Sequence, residues 1–331
     1  MMISTISMMI RQMMRMTKLK RFTETMTKNR LIIILGPTAV GKTDYSIGTA
    51  LRYGSPVISC DSRQIYKEMT IGTAVPSAAQ LSAVQHYFIH SHTVTELYTA
   101  GKYEIEALEL IERLFSEGHD TLVMAGGSGF YVDALVNGLD DFPEADLQLR
   151  GELMARLAEE GVESLRLELK ALDPKSYATI DIANGQRVVR ALEVCLMTGR
   201  PFSSFKTSPS KRRDFEVEKI GLTRPRDLLY DRIDRRVLQM VDEGLVDEVR
   251  SLTQYRDLAA LKTVGYKEIF DWLDYEDGLV STEGWGPTMP GDGPVTSLDR
   301  AVELIQRNTR RYAKRQLSYW GRDKDIRWME L

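Results

Sequence analysis

The run Gly36-Pro37-Thr38-Ala39-Val40-Gly41-Lys42-Thr43 fits the pattern G-x-x-x-x-G-K-S/T. It sits between an apolar run that reads as a strand and a segment that reads as a helix, the context in which the pattern has chemical meaning. Backbone N–H groups of such a loop and of the helix N-terminus converge on phosphate oxygens. Lys42 adds a cation, and the Thr43 hydroxyl is a candidate ligand for Mg²⁺. The motif specifies a polyphosphate without saying whether it is ATP.

Asp61-Ser62-Arg63-Gln64 follows a second short strand. An acid at a strand end beside a phosphate loop is a metal ligand, a general base, or only a helix cap. Gly126-Gly127-Ser128-Gly129 follows a third strand, where a nucleotide hydrolase more often carries an acid. Ser128 can donate or accept one hydrogen bond, although a simple glycine turn explains the run equally well. Arg187 and Arg190 are three apart on a helix, which suits phosphate contact or a solvated charge face. In Arg307–Arg322, Arg307, Arg311 and Lys314 or Arg315 share one side. Tyr312, Gln316, Tyr319 and Trp320 share another. Basic and aromatic residues interleaved in this way suit nucleic-acid contact, while an aromatic stripe packed on the core is the alternative.

The elements that must position these groups follow from periodicity. Leu31–Leu35 is continuously apolar and reads as a buried parallel strand. A helix over Lys42–Tyr53, a strand over Pro56–Cys60, a helix over Gly101–Glu117 and a strand over Thr121–Ala125 follow. This alternation predicts an α/β fold, a P-loop NTPase-like parallel sheet flanked by helices. Helical periodicity dominates 142–205, which reads as an inserted helical lobe. Lys219–Leu222 is a return strand, with helices over 226–254 and 262–275, a Gly/Pro/Ser-rich loop over 276–297 and a last helix over Leu298–Tyr319. The predicted organisation is a core of 30–140 and 215–331 and a helical insert of 141–214. Residues 1–29, Met-rich and basic, form a disordered extension or a mis-annotated start, with Met26 the expected initiator.

Composition excludes several classes. No apolar run reaches 18 residues, so no membrane span is expected. Cys60 and Cys195 are far apart, with no CxxC pair, so no structural zinc is expected and a reducing cytoplasm fits. A net charge of −3 is not the bulk signature of a nucleic-acid binder. The basic residues nevertheless bunch at 11–30, 186–190, 206–213 and 307–322, so a basic face is available.

Six segments in order carry a resemblance: GPTAVGKT, DSRQIYKEMTIGTAVP, AGGSGFYVDALVNGL, QRVVRALEV, LKTVGYKE and AKRQLSYW. Together, from Leu31 to about Trp328, the chain resembles the tRNA dimethylallyltransferase (isopentenyltransferase) family, bacterial type. The resemblance implies transfer of a dimethylallyl group from dimethylallyl diphosphate to the N6 amine of the adenosine 3′-adjacent to the anticodon, in tRNAs reading codons that begin with U. It implies that Gly36 to Thr43 hold the diphosphate with Mg²⁺, and that Asp61 is the general base. Ser128, where the family usually carries Thr, would position the amine or diphosphate, and Arg226 would join Lys42 at the diphosphate. Asp61, Ser62, Arg63, Gln64, Ser128 and Arg150 would meet the anticodon stem-loop. So would Gln186, Arg187, Val188, Val189 and Arg190, then Lys262, Gly265, Tyr266 and Lys267, then Lys314, Arg315, Gln316 and Arg322. A monomer without membrane association is expected. The chain departs from the family pattern at Val75, often Lys, and at His90, often Asp, and it lacks the zinc-finger tail of eukaryotic relatives. Two alternatives compete: a P-loop small-molecule kinase, against which the missing acid after Thr121–Ala125 counts, and a non-catalytic RNA-binding module, against which intact Lys42, Thr43 and Asp61 count.

Overall fold

The computed structural model describes residues 29–206, 211–279 and 293–331. The extension predicted over 1–29 lies outside the described residues apart from Asn29, and the loop predicted over 276–297 is described only at its two ends. The described residues fall into two compact units: Asn137–Arg212, and the residues up to Val136 joined with Arg213–Leu331. The sequence placed this insert at 141–214.

In the larger unit the elements run β1 (Arg30–Leu35), α1 (Lys42–Tyr53), β2 (Val57–Ser59), α2 (Ala78–Ala83), β3 (His86–Tyr87), α3 (Ala100–Ser116), β4 (Thr121–Ala125) and α4 (Gly129–Asn137). The insert adds α5 (Leu147–Glu160), α6 (Val162–Leu172), α7 (Pro174–Thr179), α8 (Gly185–Thr198) and a 3₁₀ turn at Phe202–Phe205. The larger unit then resumes with β5 (Glu216–Thr223), α9 (Arg226–Asp242), α10 (Leu245–Ser251), α11 (Tyr266–Glu276), α12 (Leu298–Trp320) and β6 (Ile326–Glu330).

The six strands are parallel, in the order β3-β2-β4-β1-β5-β6. Strand β1 is central, which explains why Leu31–Leu35 is apolar on both faces and almost fully buried. One face packs Ile32, Ile34, Val123, Ile220 and Leu222 against Ala50 of α1, Leu229 and Ile233 of α9 and Ala313 of α12. The P-loop leaves the end of β1, between β4 and β5, where an open α/β sheet forms its ligand crevice. The insert has its own core, in which Leu165 and Leu169 of α6 meet Val188, Val189 and Leu192 of α8.

The structure departs from the periodicity reading in several places. The helix expected over 226–254 breaks at Gly244, whose φ of +101° suits glycine. The helix expected from 262 starts at Tyr266, after Gly265 at φ +97°. The turn after β4 is confined to Gly126–Ser128, and Gly129–Tyr131 already belong to α4. Strand β6 was not foreseen; it pairs with β5, and Gly221 of β5 makes room for the Trp328 ring.

Candidate active site

The loops after β1, β2 and β4 open into one cavity of about 660 Å³, closed further by the 70–78 segment and by α9 and α12. The P-loop wall depends on glycine. At Gly36, with φ +147°, a Cβ would stand 2.6 Å from the Leu222 carbonyl oxygen of β5. At Gly41, φ +113° turns the loop into α1. Long-range bonds hold the loop in shape. Arg224 Nε donates to the Val40 carbonyl at 2.8 Å and Arg232 Nε to the Ala39 carbonyl at 2.8 Å. The Gln316 carboxamide accepts from Thr38 N at 2.9 Å and donates to the Gly127 carbonyl at 3.0 Å, joining the loops after β1 and β4.

Lys42 Nζ donates to the carbonyls of Gly36 and Pro37 at 3.0 and 2.8 Å. Burial pushes its ammonium down to about 8; Asp61 opposes that fall and Arg236 adds to it. Arg232 and Arg236, one turn apart on α9, both line the cavity. Arg236 has no ion-pair partner among the described residues, and burial and the like charge of Arg232 lower its guanidinium. Asp44, Asp61 and Glu243 line the same cavity, but none of them forms an ion pair with Lys42, Arg232 or Arg236 among the described residues, so the three cations stay open to a polyanion.

Asp61 faces this cluster across the cavity. Its Oδ1 accepts from Arg63 N at 2.9 Å and from Gln64 N at 3.3 Å, closing a turn, and no helix starts there for it to cap. Oδ2 has no partner among the described residues and remains available to a ligand. Ser128 does not line the cavity. Its hydroxyl accepts from Ser62 N at 2.9 Å and donates to Ser62 Oγ at 3.0 Å, which holds the turn that carries Asp61. Gln64 Nε2 donates to the Thr73 and Ala74 carbonyls at 3.1 and 2.9 Å, tying that turn to the cavity rim.

Several sequence-predicted residues fall elsewhere. Arg226 is exposed at the start of α9, its guanidinium 5.1 Å from the Tyr230 ring centre, and it does not line the cavity. The arginines brought to the P-loop are Arg232 and Arg236; their spacing of four was the missed signal. Val188 and Val189 are buried in the insert core, Gly265 and Tyr266 are buried beneath the 70–78 segment, and Gln316 is the strut already described. The side chains of Val188, Val189 and Tyr266 serve packing, whereas Gly265 and Gln316 line the cavity. Gln186, Arg187, Lys262, Lys267, Lys314, Arg315 and Arg322 are exposed, and Arg63 lines the cavity. Arg150 and Arg190 are half-buried and engage the fully buried Glu193 carboxylate, at 2.6 and 3.0 Å. Of the residues at the two departures from the family pattern, Val75 lines the cavity, while His90 Nε2 sits 3.2 Å from Thr70 Oγ1. Tyr312 was expected in an aromatic stripe and contributes a cavity wall; burial and the nearby Asp61 push its hydroxyl up to about 12.

Comparison with known proteins gives a consistent set of relatives. The model of the IPP transferase family matches residues 64–323. The chain is 45% identical over 298 residues to a tRNA dimethylallyltransferase of Bacteroides thetaiotaomicron, covering 90% of each chain. It is 46% identical over 300 residues to one of Porphyromonas gingivalis, covering 90% of this chain and 93% of the relative. Among solved structures it is similar to a tRNA isopentenylpyrophosphate transferase of Bacillus halodurans, with TM-score 0.62 and 37% identity, covering 92% and 90% of the two chains. A eukaryotic dimethylallyltransferase acting on tRNA, at 23% identity and TM-score 0.71, shares the fold.

Proposed function

The chain belongs to the IPP transferase family, and from that premise we propose that it is a tRNA prenyltransferase. It moves the dimethylallyl group of dimethylallyl diphosphate onto N6 of the adenosine 3′-adjacent to the anticodon, in tRNAs reading codons that begin with U. The product is N6-(dimethylallyl)adenosine, with diphosphate released. The observation that carries this reading is one cavity holding a polyanion receptor of Lys42, Arg232 and Arg236 beside a carboxylate, Asp61, with a free oxygen.

An exocyclic adenine amine is a poor nucleophile, so the allylic C–O bond must stretch toward a cation before attack. The electron pair of that bond leaves on the diphosphate. The loop amides, Lys42 and the two α9 arginines stabilise that charge without reorganising, since Arg224, Arg232 and Gln316 already brace the loop. The amine lone pair forms the new N–C bond, and Asp61 Oδ2 takes the N6 proton. The residues suit Mg²⁺: Thr43 brings a cavity-lining hydroxyl, and the remaining hard oxygens would come from the diphosphate. Bound there, the ion would neutralise charge on the leaving group. To enter, the base must leave the anticodon-loop stack, at a cost of a few kcal/mol. The exposed cations Arg187, Lys314, Arg315 and Arg322 would meet RNA phosphates. No helix of the described residues is long and apolar enough to cross a membrane, and a cytoplasmic site of action accords with a tRNA substrate. The kinase alternative is not favoured, because β4 ends in Ala125 and Gly126 where a metal-binding acid would stand.

The test is incubation with dimethylallyl diphosphate, Mg²⁺ and unmodified tRNA, followed by mass spectrometry of the nucleosides. The expected product is an adenosine heavier by one C5H8 unit, and Asp61→Ala should lower its rate about 10²–10⁴-fold with tRNA affinity retained. ATP consumption without any such nucleoside would overturn the reading.

A further inference from the structure

Glu248 of α10 was singled out by no motif, yet its carboxylate is among the most heavily used in the protein. Oε2 accepts from the backbone N–H groups of Thr70 and Ile71 at 3.0 and 2.7 Å. Oε1 accepts from Gly72 N at 3.0 Å and from the Tyr266 hydroxyl at 2.6 Å. Tyr266 is fully buried, and its ring lies so close to Gly72 that a Cβ there would stand 2.5 Å from it. Three convergent amides make an anion nest, and here the protein fills it with its own carboxylate.

The 70–74 turn held in this way faces the cavity with its other side. Its Thr73 and Ala74 carbonyls are the two acceptors for Gln64 Nε2, and Ala74 adopts φ +53°, a conformation that must be held for a residue with a Cβ. Gln64 N in turn donates to Asp61 Oδ1. An unbroken chain of hydrogen bonds and covalent turns therefore runs from Glu248 through 70–74 and Gln64 to the oxygen of Asp61 that is not offered to substrate. Among the described residues, none of the hydrogen bonds that Glu248 makes reaches the P-loop.

We propose that Glu248 is a positioning residue for the acceptor half of the reaction: by ordering the 70–74 turn it sets Gln64 and the orientation of the Asp61 carboxylate, while the diphosphate half is braced separately by Gln316, Arg224 and Arg232. This rests on the transferase reading above. Replacing one carboxylate oxygen by an NH2 group points a donor at donors, so Glu248→Gln loosens the turn without opening a cavity.

The test compares wild type, Glu248→Gln, Gln64→Ala and the double variant. Glu248→Gln is expected to lower kcat with tRNA about 10- to 100-fold, the scale of a misplacement near 1 Å. Dimethylallyl diphosphate affinity, measured without RNA, should stay within about twofold of wild type. The double variant should lose little more than the worse single one, because both act on one relay. Amide hydrogen exchange, read without any activity, should quicken at Arg63, Gln64 and 70–74 in Glu248→Gln, and not along β1 or α1. Unchanged exchange at Arg63 and Gln64, additive losses, or an equal fall in donor affinity would each overturn the relay. A wild-type protein that makes no prenylated adenosine would instead overturn the transferase reading, and the exchange result would still decide whether Glu248 orders Asp61.

Discussion

Donor binding should depend on pH through Lys42, and the window follows from the structure. Burial takes its ammonium from 10.5 down to about 8. At 1.36 kcal/mol per pH unit, holding the charge in the cavity costs about 3 kcal/mol. A bound diphosphate supplies the missing counter-charge and lifts the value again, so above pH 8 binding must take up a proton. The donor's own last ionisation, near 6 for a phosphate ester, is complete below this window. The dissociation constant should therefore be flat from pH 7 to 8 and rise about tenfold per unit above it, about tenfold weaker at pH 9 than at pH 7. Titration calorimetry of dimethylallyl diphosphate with Mg²⁺, without RNA, reads this directly. Lys42→Arg should abolish the inflection, since arginine does not titrate there. The same linkage acts on the fold. The unfolded chain holds the Lys42 proton up to 10.5 and the folded one only to about 8, so unliganded stability should rise with pH between those values. A dissociation constant that stays flat to pH 9.5, or an inflection that survives in Lys42→Arg, would refute the reasoning.

Three further outcomes are expected. Arg236→Met should weaken the donor about 10- to 100-fold, the worth of a charge-assisted contact of about 1.5–3 kcal/mol, while Arg226→Ala should leave calorimetric donor affinity unchanged, because Arg226 packs on Tyr230 away from the cavity. Glu193→Leu should destabilise the insert by about 3–5 kcal/mol, since Arg150 and Arg190 lose their buried partner and Asp146 N its acceptor; thermal melting followed by proteolysis within 137–212 would detect it.

The sheet was legible because its signals are local. Leu31–Leu35 is apolar without interruption, and only a strand covered on both faces uses such a run. The P-loop was legible because phosphate binding requires glycine where φ is positive and a lysine at the helix start, and Gly36, Gly41 and Lys42 meet those needs within seven residues. Asp61 was legible from its place after β2. Strand β6 escaped because an edge strand with one buried residue, Ile326, carries almost no periodic signal.

Which residues complete the site was decided by tertiary structure. A helix advances about 100° per residue, so the direction of an arginine on α9 depends on how that helix is rolled. Burial of Leu229, Ile233 and Val237 sets that roll, which turns Arg232 and Arg236 into the cavity and leaves Arg226 outside. Gln316 reads as a polar residue in a basic helix until the fold places it against Thr38, 278 positions away. Glu248 reads as a surface acid until three amides of a distant turn close on it. The sequence by itself points to the kind of ligand, a polyphosphate on a P-loop, because that pattern is written in adjacent residues. The partners of the phosphate loop and of Asp61 come from across the chain, and only packing brings them together.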